Sequence, residues 1–549
     1  MKFFLFFLVI LIGLSTSVAA QPTRQDSLRG AHSPLRSYDV SYYKLIVQLN
    51  PDRNFIVGVN DMYFTTKETM PALQIDLFEN LIINKIEING KKVAFARDGN
   101  ATYVMFDEEL RANEKHVLTT YYEGSPTKAL NAPWDGGFTY KKLADSTHWV
   151  GVSCEGIGAS LWWPCKDMYD DEPDSMLIGA SVPRGYTAVC NGKFIGKSLL
   201  GKDKLNPDAY MSFVWKVSYP INNYNVTLNI AKYAHFTDYY HSGGDSLALD
   251  YYVLPNNLDK AKEQFKQVQP MLTCYEKYFG KYPFWRDGYK LVETPYLGME
   301  HQSCIAYGNN YKKGYLGMDM SGLGFDYIII HESGHEYWGN NVSMSDIAEM
   351  WIHEGFCTYA ESVYVECMFG KEQARKYLKL QRLNIKNEAA IISTYEVNQE
   401  PPQDMYYKGA QLLNNLRTLT KNDSIWWKLI HDYATVNSPR IATTKEFIDM
   451  YKKYTGNNYD SVFEQYLNHA ALPKLMYDWR YENNEALLLC FWKADVEDFN
   501  MPILVQVDGK QQWIQPTSTP TTIAFGNVPL DKISLNKTDL YFGYKSIKE

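Results

Sequence analysis

The stretch IIIHESGHEYWGN, its second histidine followed after eighteen intervening residues by the glutamate of EMWIHEGF, constrains this chain more than any other feature. Residues i and i+4 of a helix share a face, so His331 and His335 can offer two imidazole nitrogens to one ion, with Glu332 beside that face. Glu354 completes a set of two histidines and one carboxylate, which catalytic zinc uses while keeping one position open. A five-residue pattern alone arises often by chance, and the distant glutamate is what makes this one specific. Gly339 sits where a left-handed residue would close the first helix. Ser345-Asp346 gives a start signal for a second, running through Trp351, Glu354, Thr358 and Glu361. Gly334 inside the first helix costs about 1 kcal/mol relative to Ala, which points to a close neighbour there, either the second helix or the ion.

The rest of the chain divides by texture into an α+β, multidomain protein. Lys2, an apolar run from Phe3 to Leu14 and the small residues Val18-Ala19-Ala20 read as a signal peptide over 1–20, with the mature chain starting at Gln21. The run is short for a bilayer span, so an uncleaved anchor is the weaker alternative. Residues 21–36 are polar and read as a loose leader. Segments such as YYKLIVQLN and NFIVGVNDMYFTT, broken by Pro-Asp and Asn-Gly turns, predict a large antiparallel β domain over 37–240. Helical spacing over 258–279, stopping at Gly280, opens an α-rich block, 241–472, which contains the metal motif. Strand patterns return in LMYDWRYE and ALLLCFWKA, and predict a small β-sandwich over 473–549.

A formal net charge of −8 with no basic run gives a phosphate backbone nothing to bind, so nucleic acid is excluded as a partner. Eight cysteines in 549 residues, with no C-x-x-C pair, predict mostly buried thiols and at most one or two disulfides.

Taken in order, G-M-E at 298–300, the H-E-x-x-H set with its glutamate, W-x-x-E-G-F at 351–356 and Y-x-K-G at 406–409 resemble the aminopeptidase N family of gluzincin zinc peptidases, which includes leukotriene-hydrolase-like enzymes. Pro164-Cys165 and YDVSYYKLIVQL add to the resemblance. It implies a saddle-like N-terminal β domain, a thermolysin-like catalytic domain and a C-terminal β-sandwich. It also implies one zinc per chain held by His331, His335 and Glu354, with Glu332 as general base for a zinc-activated water that hydrolyses the N-terminal peptide bond. Tyr406 matches the family's oxyanion-stabilising tyrosine, with Tyr407 the neighbouring alternative. Glu300 matches the carboxylate that holds a peptide's free α-amino group. Glu155 is the counterpart of a polar partner, usually Gln, though a slip of two residues would substitute Ser153. Backbone amides of Gly298 and Met299 match those that bind the substrate carbonyl.

Three departures stand out. His301 and His353 occupy positions where the family has Asn, and are expected to make structural hydrogen bonds rather than to titrate. The family's P-C-x-D-E-P is interrupted between Asp167 and Asp171. Glu349 is a candidate acceptor for a ligand histidine. The leading expectation is an exported, periplasmic or extracellular zinc aminopeptidase acting on peptides, without stable membrane insertion once the signal is cleaved. A thermolysin-like endopeptidase would share the zinc set without needing Glu300, and a non-catalytic peptide-binding protein would not need Glu332.

Overall fold

The computed structural model describes residues 23–200 and 209–548; the signal-peptide segment and the start at Gln21 lie outside the described residues. Buried and exposed positions alternate along Tyr38–Asn50 and Phe55–Thr66, as a strand with one wet face requires. These two strands sit at the centre of an eight-stranded sheet, flanked by Ser175–Pro183 and Lys115–Gly124. The sheet is antiparallel except that Tyr38–Asn50 pairs parallel with Ser175–Pro183. Adjacent hairpin strands must run opposite ways, but these two are separated by smaller sheets that let the chain return in the same direction. A four-stranded sheet built on His148–Ser153 and a three-stranded one built on Ala101–Leu110 complete this β domain.

The described part of the expected leader is folded. Thr23 and Asp26 form a reciprocal cap on the helix Arg24–Gly30. Arg36 then reaches a fully buried Asp76 at 2.8 Å. A buried guanidinium is tolerated only when paired, so this ion pair fastens the segment to the sheet.

Helical spacing over 258–279 becomes two helices, Leu258–Gln264 and Val268–Phe279, joined by a tighter turn. Pro270 cannot donate to the carbonyl four residues back, so the ladder breaks there. Gly280 ends the second helix at φ +96°. The α-rich block also holds a five-stranded sheet in the order Ala234–Ser242, Asp245–Val253, Tyr289–Glu293, Ile305–Tyr307, Gly298–Met299. The boundary expected at 240 therefore falls inside a strand of this sheet, because a hairpin pattern reads the same whichever sheet it joins. A disulfide between Cys274 and Cys367 ties Val268–Phe279 to the helix Trp351–Phe369, while Cys154, Cys165, Cys190, Cys304, Cys357 and Cys490 are buried thiols.

Past Lys474, a four-stranded and a three-stranded sheet form the terminal sandwich. Its buried Leu488, Trp492 and Val505 share one continuous apolar core with the helices. Among the described residues no helix is long and apolar enough to cross a membrane.

Candidate active site

The motif helix, Tyr327–Gly334, starts at Asp326, whose carboxylate accepts from the Ile328 amide at 3.1 Å. Ile328, Ile329 and Ile330 are all buried, as befits a helix enclosed on every side. The helix closes sooner than the left-handed signal at Gly339 suggested, with His335 as its cap. Gly339 instead serves a turn in which a Cβ would stand 3.3 Å from the rings of both His335 and His353. The second helix, Trp351–Phe369, begins after a turn capped by Asp346. A Cβ on Gly334 would meet the sulfur of Cys357, so the close neighbour is the second helix.

Nε2 of His331 and Nε2 of His335 lie 3.3 Å apart, and the Glu354 Oε2 stands 3.5 and 3.4 Å from them. Donors around a tetrahedral ion with bonds of about 2.0–2.1 Å stand about 3.3–3.4 Å from one another. Glu354 Oε2 is buried and has no hydrogen-bond partner among the described residues, which would be costly unless a cation takes its lone pair. The outer nitrogens agree with this. Nδ1 of His335 faces the Trp338 carbonyl at 2.9 Å and Nδ1 of His331 faces the Glu361 carboxylate at 2.7 Å. Both acceptors hold the ring hydrogen on Nδ1 and leave Nε2 as a lone pair. The donor set therefore fits zinc. Cys357, also near both histidines, donates its thiol hydrogen to the His331 carbonyl.

Glu361, not Glu349, is the carboxylate behind a ligand histidine. Glu349 accepts from the Thr444 amide, Tyr395 and Ser345. Glu361 lies seven residues, about two helical turns, beyond Glu354 and so on the same face, a spacing that could have identified it. Its second oxygen accepts from Tyr377 and Gln381.

Glu332 packs against the edge strand Gly298–Met299, where a Cβ on Gly298 would come within 2.5 Å of its carboxylate. Burial pushes the Glu332 carboxyl up to about 7, against the pull of His331 and His335. Among the described residues the strand pairs on one side only, with Ile305–Tyr307, and its other edge can pair with an extended chain. Oxygens of Glu155, Glu300 and Glu354 all lie within 4.8 Å of one another. Burial, then the charges of Glu300 and Glu354, hold Glu155 well above the usual carboxylate range. Ser153, the other alignment, donates to the Pro133 carbonyl instead.

Tyr406 comes from the helix Asp404–Thr420, and its ring lies 24° from parallel with that of His331, centroids 6.2 Å apart. Burial, then Glu354 and Glu155, hold its hydroxyl well above the ordinary tyrosine range. Burial, then the charge of Glu361, pushes the Tyr407 hydroxyl up to about 12, against the pull of His331. The two motif glycines explain the approach of these helices. A Cβ on Gly355 would stand 3.1 Å from the Met405 carbonyl, and one on Gly409 would stand 3.0 Å from the Cα of Gly355. The lysine of Y-x-K-G serves the fold, since Lys408 donates to the carbonyls of His469 and Ala470.

His353 and His301 are both fully buried, and burial lowers each to about 3, so neither adds a titrating group near neutrality. The expected structural hydrogen bond exists for His353, whose Nε2 accepts from the Met344 amide at 2.8 Å. It does not exist for His301, whose ring nitrogens have no partner among the described residues. Sequence reasoning missed Tyr224, which donates to Glu300 at 3.0 Å, and Glu400, whose charge acts on Glu155.

Residues 263–466 match the peptidase family M1 domain. Human aminopeptidase B is 26% identical over 388 residues, covering 66% of this chain and 54% of that protein. A probable aminopeptidase 1 of Sulfurisphaera tokodaii is 20% identical over 492 residues, covering 84% of this chain and 58% of that protein. The chain spans about half the length of such curated relatives. An M1 zinc metallopeptidase from Deinococcus radiodurans has the same fold at a TM-score of 0.65 and 18% identity, over 80% of this chain and 95% of that one.

Proposed function

The chain belongs to the aminopeptidase N-like gluzincins, with residues 263–466 as its peptidase family M1 domain, and on that premise we propose that it is an exported zinc aminopeptidase that removes N-terminal residues from peptides. The observation that carries this reading is the position of the Glu155 and Glu300 carboxyl groups, each with an oxygen within 4.8 Å of an oxygen of Glu354. An α-ammonium group bound there brings the first peptide bond to the metal corner.

His331, His335 and Glu354 would hold one zinc ion per chain. When bound, zinc supplies Lewis acidity and lowers the pKa of a water ligand to about 7. Glu332 takes the proton from the attacking water and returns it to the leaving amine. The Tyr406 hydroxyl donates to the oxyanion as it develops. The free edge of Gly298–Met299 aligns the peptide and receives its carbonyl. Related structures bind a Tyr-Ser-Ala substrate or a free amino acid, which supports short peptides as the substrate class here. Export is supported by the signal-peptide pattern and by the Cys274–Cys367 bridge, a cross-link that persists outside reducing compartments. Periplasmic or extracellular release, without membrane insertion after cleavage, completes the reading.

An aminoacyl p-nitroanilide library, assayed with free and N-acetylated amines, tests it. Free amines are expected to be cleaved and acetylated ones to be nearly inert. Glu300→Ala should damage free-amine turnover while leaving zinc content unchanged. Efficient cleavage of acetylated or internal bonds by the unmutated protein would favour the endopeptidase.

A further inference from the structure

Glu300 is fixed by more than its position in the chain. Its carbonyl accepts from Asn340 at 2.7 Å, and its Oε1 accepts from the Tyr224 hydroxyl at 3.0 Å. That hydroxyl lies 3.4 Å from Nδ1 of His353, whose Nε2 meets the Met344 amide at 2.8 Å. Tyr224, Glu300 and His353 are each at most 2% exposed. The two rings lie 26° from parallel.

The direction of this chain of hydrogen bonds is set at one end. A backbone N–H can only donate, so Nε2 of His353 must be the lone-pair nitrogen and the ring carries its hydrogen on Nδ1. Nδ1–H then points into the Tyr224 oxygen. Tyr224 has one hydrogen, and it goes to Glu300. A donor held in that sense fixes Oε1 as an acceptor and so fixes the orientation of the Glu300 carboxyl group. Glu300 thus has Oε1 held by Tyr224 while the group faces Glu155 in the same cluster.

The three links come from different parts of the fold. Tyr224 lies in the turn Asn223–Asn225 of the N-terminal β domain, while His353 immediately precedes the ligand Glu354 on the long helix. We infer that Tyr224 and His353 are positioning residues that orient the Glu300 carboxylate and index it to the metal ligands, so that the docking of the β domain sets the spacing between amine anchor and scissile bond. This inference rests on the aminopeptidase reading and adds residues to its specificity.

The test uses the zinc-loaded, full-length protein with the best free aminoacyl p-nitroanilide of the library and its N-acetyl form. Tyr224→Phe should lower kcat/KM for the free amine by about 10–100-fold, the worth of one hydrogen bond to a charged group, mainly through KM and at unchanged zinc content. The preference for free over acetylated amine should narrow by the same factor. His353→Met should do likewise, while His353→Asn, which keeps a side-chain N–H near the Nδ1 position, should retain most of the preference. The double variant Tyr224→Phe/His353→Met should be no worse than either single one, since both act through one carboxylate. Unchanged KM and preference in Tyr224→Phe, additive losses in the double variant, or equal behaviour of His353→Asn and His353→Met would overturn the inference. If Tyr224→Phe does not fold, the two His353 variants decide. Failure of the underlying reading is separate, since it is measured on the unmutated protein as loss of the free-amine preference.

Discussion

The corner around His331, His335 and Glu354 and the corner around Glu155 and Glu300 touch each other, yet they are assembled in opposite ways. The first is built from two helices close in sequence, with His331 and His335 one turn apart on the first and Glu354 and Glu361 two turns apart on the second. The second draws Glu155 from a loop after a β-domain strand, Glu300 from the end of an edge strand and Tyr224 from a turn more than seventy residues away. A corner made by local geometry should fail through its chemistry when mutated. One made by long-range packing should fail through position, with the chemistry intact.

The largest effect should come from the first corner. A chelator should abolish activity and added zinc restore it, and Glu332→Gln should keep zinc while lowering kcat by about 10²–10⁴-fold, the usual share of general acid–base catalysis. A variant with near-normal kcat and bound metal would remove Glu332 from the base role. Next is Tyr406→Phe, expected to lower kcat by about 10²–10³-fold as the loss of one oxyanion donor does. Tyr407→Phe should stay near normal, since the carboxylate that acts on its hydroxyl is Glu361, behind His331, while Glu354 and Glu155 act on Tyr406. The reverse pattern in steady-state kinetics would exchange the two residues.

Glu361→Gln tests whether the support behind His331 tunes the metal. Zinc affinity should weaken by about 10–100-fold, read by competition with a chromophoric chelator, with kcat of the fully loaded enzyme changing less. Unchanged affinity would make Glu361 a packing residue. The smallest effect is expected for Gly355→Ala. The added Cβ meets the Met405 carbonyl at 3.1 Å, and parting the helices costs about 1–3 kcal/mol, partly offset by about 1 kcal/mol of helix propensity. Chemical denaturation should show a modest loss, and kcat should fall with it as Tyr406 withdraws. A stability loss with unchanged kcat would separate the helix crossing from the placement of Tyr406.

Several elements are legible in the amino-acid sequence, and the reasons differ. The strands around Val47 and Val59 can be read because a half-buried strand repeats every two residues, and the helix stop at Gly280 because it needs positive φ. The segment 23–36 misreads as loose because its polar composition hides a buried ion pair whose partner, Asp76, is forty residues beyond Arg36. The boundary at 240 misreads because sheet membership is a pairing property, and no single strand carries it.

By itself the sequence pointed to a candidate metal donor set, a candidate base and the order of β, α-rich and β regions, because these follow from spacing and pattern along the chain, and the family resemblance added a candidate tyrosine. Tertiary structure alone decided that Glu349 is engaged by Thr444, Tyr395 and Ser345, that Tyr406 feels Glu354 and Glu155 while Tyr407 feels Glu361, and that Tyr224 reaches Glu300 while His301 finds no partner among the described residues. Those outcomes depend on where separate segments meet. The chain leaves that to burial of its apolar faces and to hydrogen-bond satisfaction across them, which no local pattern encodes.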